Sequence, residues 1–457
     1  MSRKLYAGAA LAALLIHPFN ASAASDAELQ AIREQISQLK DNYERRIAQL
    51  EQRLQQAEAN SKSATNSAAQ NQVAAQQASR PAAGGEGVFN PAISLILGGT
   101  YGNLQQASAP ATGFAMNPNP GHEQGFNLGE SEIGISASID PQFRGAATLA
   151  LDPAGGISVE NAFVQATTLG NGFNLKFGRF FSGLGYVNEQ HAHAWDFVDQ
   201  PLVYAALWEN QLGEDGVQLK WLAPSDTFIE LGAEIGKGRG FPGTDRAKNG
   251  SGAGVLFAHA GGDIGVEHSW RAGASLHRAR RVAAGSEDVP DLSGNEVTNQ
   301  FSGDSRTAGL DFVWKYAPDG NTARTNFKLQ GEYFRRKESG DLTYDTATTN
   351  TTDSYAVTQS GWYLQGVYQF MPMWRAGLRY DSLDPGVAQV GAANAANVIS
   401  NYGYTPTRTA LMLDYSPSEF SRLRVQLAQD KSRQGLTDNQ VFLQYIMSLG
   451  AHGAHQF

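Results

Sequence analysis

From Val88 to the carboxyl end the chain keeps a two-residue rhythm in sixteen segments, separated by connections of two alternating kinds. The segments are 92–103, 126–140, 142–152, 157–169, 173–181, 212–223, 226–237 and 253–262, followed by 268–280, 306–317, 323–337, 359–370, 373–383, 406–416, 420–430 and 439–451. The last of them sets Val441, Leu443, Tyr445, Met447 and Leu449 against Gln440, Gln444, Ser448 and Gly450, and the chain ends on Phe457. Alternation of this kind describes a strand with one apolar and one polar face. After even-numbered segments the connections are tight: Asp140-Pro141, Gly170 to Gly172, Ala223 to Ser225, Ala317 to Thr322, Met371-Pro372 and Pro417 to Glu419. After odd-numbered segments they are mostly long and polar, as in 104–125, 182–211, 281–305, 338–358 and 384–405. Short turns on one rim and long loops on the other is the plan of a closed antiparallel barrel in an outer membrane, with the short rim periplasmic. The expected fold is therefore all-β, a 16-stranded antiparallel transmembrane β-barrel over residues 88–457.

The charges choose a face. On 373–381, Trp374, Ala376, Leu378 and Tyr380 alternate with Arg375, Gly377, Arg379 and Asp381. An Arg or Lys facing lipid at the midplane costs roughly 2 to 4 kcal/mol, so the charged set must point inward and the interior is expected to be wet. By the same parity Lys176, Lys220, Arg271, Lys315, Lys328, Arg375, Arg379, Arg408, Arg422 and Arg424 line the pore, with Glu332, Asp381 and Asp414 among the acids and with Glu160, Glu230, Glu234 and Asp311 also inward. The basic excess of that set leans toward anions, although the chain as a whole carries a net charge of -9. Trp221, Trp270, Tyr316, Trp362, Trp374, Tyr380 and Tyr415, near strand ends, are expected to form interfacial girdles.

Before the barrel lie three further stretches. Arg3 and Lys4, the apolar run Leu5 to Ile16 and Ala21-Ser22-Ala23 read as a signal peptide, 1–23. Within 24–59, Leu29, Ile32, Ile36, Leu39, Tyr43, Ile47, Leu50, Leu54 and Ala57 step by three and four, the seam of an α-helical coiled coil with one stutter. Residues 60–87 are small and polar, a flexible linker. The expected arrangement is a stalk in the periplasm and a homotrimer held through Leu29 to Ala57 and the barrel wall, with outer-membrane lipid around it. The chain contains no cysteine, which excludes disulfides and thiolate chemistry. With Arg3 and Lys4 removed the mature chain is still more acidic, so no nucleic-acid footprint is present.

Of the long loops, 182–211 is the richest in apolar and aromatic residues, including Trp195, Phe197, Leu202, Tyr204, Leu207 and Trp208. Such a loop is expected to fold into the lumen and narrow it, with a short helix beginning at Pro201. Its polar members Glu189, His191, His193, Asp196 and Asp199 form the candidate constriction. His191-Ala-His193 with those carboxylates is also a candidate metal site, zinc being the ion that suits imidazole and carboxylate. His452 and His455 are a second such pair, whereas His259, His268 and His277 are read as lumen or turn residues without metal. No enzyme is expected: GxSxG, HExxH and Walker patterns are all missing, and no resident cofactor is implied.

Taken together, the signal peptide, the stalk, the strand count, the stretch GRFFSGLGYVNEQHAHAWDFVDQPL and the ending GAHGAHQF resemble the Gram-negative outer-membrane porin superfamily, most nearly the phosphate-selective porin O and P type. That resemblance implies a trimeric diffusion channel for small hydrophilic solutes or ions, with an anion-binding constriction. The third-loop histidines depart from the phosphate type, and no arginine ladder can be matched position by position. Two alternatives remain at this level: an outer-membrane receptor or channel for metal ions such as zinc, and a structural tether to the cell wall.

Overall fold

A computed structural model describes residues 91–106, 109–114, 122–129, 131–151, 155–166, 168–245 and 248–450, with side chains throughout except at 286–288. All of these belong to one compact unit, Phe89–Phe457. The expected signal peptide, coiled coil and linker, together with His452, His455 and Phe457, lie outside the described residues.

Sixteen strands follow one another in the chain. The first eight are β1 (Ala92–Asn103), β2 (Ser131–Ser138), β3 (Phe143–Leu151), β4 (Ile157–Ala166), β5 (Phe173–Phe181), β6 (Gly213–Leu222), β7 (Phe228–Gly236) and β8 (Ala253–Ile264). Then come β9 (His268–Pro290), β10 (Glu296–Tyr316), β11 (Asn326–Tyr344), β12 (Thr351–Met371), β13 (Trp374–Asp384), β14 (Thr407–Ser418), β15 (Ser421–Lys431) and β16 (Asp438–Gly450). Each pairs antiparallel with its neighbours in sequence, and β1 pairs both β2 and β16, through Ser94↔Gly450 to Asn103↔Val441. The ring is therefore closed, which removes every free sheet edge and is the one β arrangement that lipid tolerates. Two short pieces, Gly125–Asn127 against β1 and Gln389–Val390 against β12, extend it locally.

Outside, the alternation produces continuous apolar rows. Leu378, Leu411 and Leu427 are cross-strand partners on β13 to β15 and are 51%, 54% and 50% exposed, with Ala376, Leu413, Val425 and Leu443 forming the next row. Exposed leucine, isoleucine, valine and aromatic side chains on nearly every strand exceed by far the patches that water-soluble surfaces carry, so this exterior faces lipid. Aromatic residues mark its two edges. At the short-turn end Trp374 and Tyr415 lie with ring centroids 4.7 Å apart and Trp270 pairs with Trp314; at the loop end Trp362 pairs with Tyr333 and lies 5.6 Å from Tyr380.

All sixteen expected segments are strands, but 281–305 and 338–358 are not the loops the sequence suggested. There β9–β12 run on as hairpins, making strands of 19 to 23 residues. Their outward residues Arg280, Ser302, Asp304, Ser339, Asp341 and Ser354 are polar, because these arms stand beyond the lipid band and no longer need an apolar face. Without alternation, they do not look like strand in sequence.

A loop folded across the lumen

Residues 182–211 leave β5 and fold into the barrel. Asn188 staples the two ends of the loop, donating Nδ2 to the carbonyls of Ser182 at 2.8 Å and Leu212 at 3.0 Å while its Oδ1 accepts from Leu212 N at 2.7 Å. A 3-10 turn, Ala192–Ala194, carries the His-Ala-His motif, and helix α1 (Leu202–Trp208) follows Pro201. Proline supplies the helical φ at an N-terminus. The first free N–H of α1, on Leu202, donates to Asp381 Oδ1 on β13 at 2.9 Å, so a wall carboxylate caps the helix from outside the loop. Glu209 closes it in the left-handed conformation, φ 52°.

One face of the loop is apolar and binds the wall formed by β8 to β13. Leu184, Tyr186, Val187 and the α1 side chains pack with Val255, Phe257, Val313, Phe334, Tyr363 and Leu383, and Trp208 and Tyr204 are fully buried. Phe114, from the first long loop, joins the same cluster. Phe197 makes a second contact with Val367, Ala410, Met412 and Ala428. Within the first of these clusters lies Glu332, whose Oε2 accepts from Tyr186 N at 3.0 Å and Tyr204 Oη at 2.8 Å and whose Oε1 accepts from Tyr363 Oη at 2.6 Å and Val187 N at 3.3 Å. The loop passes so close to this carboxylate that only glycine fits at 185, where φ is 68° and a Cβ would strike both Glu332 and Tyr204.

The inward charges meet the loop charges. Asp196 binds Lys328 at 2.5 Å and Arg375 at 3.2 Å; Asp199 binds Arg379 at 2.9 Å and Arg408 at 2.7 Å; Glu189 binds Lys220 at 2.9 Å. Arg375 also holds Asp414 on β14, and Arg422 and Arg424 donate to the Trp195 carbonyl at 3.2 and 2.6 Å. Arg271 lies over the Tyr186 ring, and Lys176 over Phe163 and Phe180. The wall residues in these contacts are ones that parity turned inward. The role assigned to six inward residues changes, however. Glu332, Arg379, Asp381, Arg408, Asp414 and Arg424 are buried beneath the loop rather than lining water. The basic excess of the wall is also offset, since Glu189, Asp196 and Asp199 bring matching acids from the loop.

The two motif histidines pair with carboxylates of the wall. His191 Nδ1 lies 2.9 Å from Glu160 Oε2 on β4 and 3.2 Å from Glu132 Oε2 on β2, and its Nε2 is 3.0 Å from Asn161 Nδ2. His193 Nδ1 is 2.9 Å from Glu132 Oε1, and the two rings stack at 5.7 Å. Burial disfavours a charged imidazole at 191, but hydrogen bonds to Glu132 and Glu160 outweigh it and push the ring up to about 10. Glu132, Glu160 and His191 offer ligand atoms within 4.8 Å of one another. Sequence reasoning missed Glu132, Phe114 and His122, the last of which lies 3.7 Å from Asp199. Glu160 was read as inward, but not as a histidine partner. Among the described residues His259 pairs with Glu230 at 3.1 Å, His268 stacks on Trp314 and Tyr316, and His277 accepts from Trp208 Nε1 at 3.4 Å.

The wall opposite the packed face carries charged side chains, among them Glu132, Glu160, Lys220 and Glu230. A cavity of about 260 Å³ lies against the histidine side of the loop, lined by Thr100, His122, Asn127, His193 and Gln444 together with Trp195, Val198, Phe442 and Ile446. Lys220 on β6 and Glu160 on β4 keep partly exposed side chains, as do Glu189 and His191 on the loop edge that faces them.

A closed ring of sixteen antiparallel strands, apolar outside, with one long loop folded into a polar lumen, defines a porin-like β-barrel protein. Within that class the chain belongs to the family of an uncharacterized protein of Aquifex aeolicus (strain VF5), with which it shares 30% identity over 405 residues, 81% of this chain and 80% of the relative. No family model matches. Solved structures similar to it include the trimer form of OmpT, an outer membrane protein of Vibrio cholerae (13% identity, 79% of this chain and 100% of that one, TM-score 0.49), and an anion-selective porin from Comamonas acidovorans (12%, 79% and 99%, 0.48). The outer membrane channel DcaP of Acinetobacter baumannii is similar at 13% identity, 80% of this chain and 100% of that one, TM-score 0.45.

Proposed function

We propose that the protein is an outer-membrane porin through which small hydrophilic solutes or ions diffuse passively, in the passage that loop 182–211 leaves on the polar side of the lumen. The observation that carries this reading is the division of the loop itself: its apolar face is fixed to β8–β13, while Glu189, His191 and His193 look toward the β2–β7 wall. A loop built only to plug the barrel would not need a polar edge facing charged, partly exposed side chains. The wall arginines are bonded to loop carboxylates and carbonyls, so the reading commits to no phosphate ladder. Assembly as a homotrimer belongs to the same proposal. Planar-bilayer recording tests it: ohmic steps are expected, deletion of 187–208 should enlarge them, and a barrel that passes no current would overturn the reading.

A metal-ion reading has one observation in its favour, the convergence of Glu132, Glu160 and His191. Zinc would have to displace the proton that those carboxylates hold on the ring. Calorimetry with zinc on the wild type and on His191→Ala decides it, since heat lost in the variant supports a site and equal heats remove it.

A further inference from the structure

Arg278, Arg306, Arg335 and Lys337 stand together on the outside of the barrel, at the point where the apolar rows give way to charge. Arg278, Arg306 and Lys337 are direct cross-strand partners on β9, β10 and β11, and Arg335 follows one outward position below Lys337. All four are exposed. Like charges placed directly opposite one another on a sheet destabilise it, and compensation is slight. Asp304 binds Arg278 at 3.1 Å, and among the described residues no ion pair reaches Arg306, Arg335 or Lys337.

Their depth is informative. On the outward face of β11 the order is Tyr333, Arg335, Lys337, and Tyr333 pairs with Trp362 in the loop-side aromatic edge. Each outward step is about 7 Å along the strand, so the cations begin one step above the aromatic edge, at the depth of lipid headgroups.

Directly below them the wall is hollow. A groove of about 640 Å³ runs from Arg278, Arg306, Arg335 and Lys337 down past Leu256, and a second of about 550 Å³ continues it to Tyr333. Ala258, Ala274 and Ala308 are its small residues, and Leu256, Leu276, Leu310 and Tyr333 the larger ones beside them. Small residues flanked by larger ones leave a trough of the kind an acyl chain fills, and arginine pairs with phosphate through two parallel hydrogen bonds.

We propose that this face binds a phosphorylated, acylated glycolipid of the lipid A class, with its phosphate among Arg306, Arg335 and Lys337 and an acyl chain in the groove beneath. The proposal rests on the reading of the barrel as an outer-membrane protein with its long-loop rim outward. A second copy of the chain fits less well, because Arg306, Arg335 and Lys337, which no ion pair reaches among the described residues, need an anion and the exposed wall offers mainly apolar side chains below this level.

Native mass spectrometry of the detergent-solubilised full-length protein tests the proposal, with lipid A, lipid A stripped of phosphate, and phosphatidylcholine as probes. Wild-type protein should retain lipid A at least about tenfold better than either control, as loss of one charge-assisted contact predicts. Arg306→Ser, Arg335→Ser and Lys337→Ser combined should lower retention to the level of the phosphate-free lipid. Equal retention of all three lipids by the wild type, or an unchanged lipid A signal in the triple variant, would overturn the site. So would a change of oligomeric state in the triple variant without loss of lipid, which would assign the face to self-association. Bilayer currents from the same preparations keep the two readings separate: a barrel that binds lipid A but passes no current sinks the channel and leaves the lipid site standing.

Discussion

Asp199, in the middle of the inward loop, is held by Arg379 of β13, whose Nη2 lies 2.9 Å from its Oδ1 while Nη1 donates to its backbone carbonyl at 2.7 Å. Arg408 and Gln426 reach the same carboxylate from β14 and β15 at 2.7 and 2.8 Å. Three wall strands thus converge on one loop side chain. Burial disfavours the ionised carboxyl, but Arg379 and Arg408 outweigh that and hold it well below the usual carboxylate range.

Asp199→Ala leaves two buried guanidinium groups without this carboxylate. Breaking a buried ion pair by removing one partner costs about 3 to 5 kcal/mol, and here the loop that depends on it is free to swing. The thermal midpoint of the folded barrel in detergent should fall, and single-channel current should become larger and noisier. A variant with the wild-type current and midpoint would show that the loop is fixed by its apolar face alone.

The coupling between Tyr204 and Glu332 is measurable as a double-mutant cycle. Their 2.8 Å hydrogen bond is buried, and Glu332 also receives two loop N–H groups and Tyr363. Tyr204→Phe and Glu332→Gln should be non-additive by about 1 to 3 kcal/mol in urea unfolding from lipid vesicles. Strict additivity would mean that the hydroxyl contributes nothing to holding the loop.

Trp208 tests the apolar half of the attachment. It is fully buried, with its ring 4.7 Å from Phe334 and 5.3 Å from Tyr204. Truncation to alanine should cost about 3 to 5 kcal/mol by loss of burial and formation of a cavity. Because the helix would loosen at its C-terminal turn, limited proteolysis should cut Trp208→Ala near Glu209 faster than the wild type; equal rates would place the clamp elsewhere in the loop.

The barrel was readable in sequence because lipid on one side and charge on the other enforce alternation residue by residue. Where that constraint ends, so does legibility, as the polar arms of β9–β12 show. Loop 182–211 betrayed its inward course by carrying Trp195, Phe197, Tyr204 and Trp208 in a segment that should otherwise be polar. Its partners were harder to find. The pairing of Glu160 with His191 depends on a local irregularity, in which Val159 pairs with Leu149 and Asn161 with Thr148, so that Glu160 is the extra residue between them. Glu132 joins the histidines from another strand altogether, a proximity that spacing along the chain does not express. Likewise, parity placed Arg379, Arg408 and Arg424 inside but carried no information on what would cover them.

Leu411 is the sharpest test of which side of the wall faces lipid. It lies in the middle of β14 on the outward row shared with Leu378 and Leu427 and is 54% exposed. An arginine near the bilayer midplane costs about 2 to 4 kcal/mol, falling toward zero at the interfaces. Leu411→Arg should therefore lower the refolding free energy into lipid vesicles by that amount. Ser354→Arg, on the polar arm of β12 beyond the aromatic edge, should cost almost nothing. Because both substitutions add the same side chain at an outward position of a paired strand, their difference reports the surrounding medium and not strand propensity. Equal costs at the two positions would mean that the leucine rows are not in hydrocarbon, and the membrane assignment of the exterior would fall.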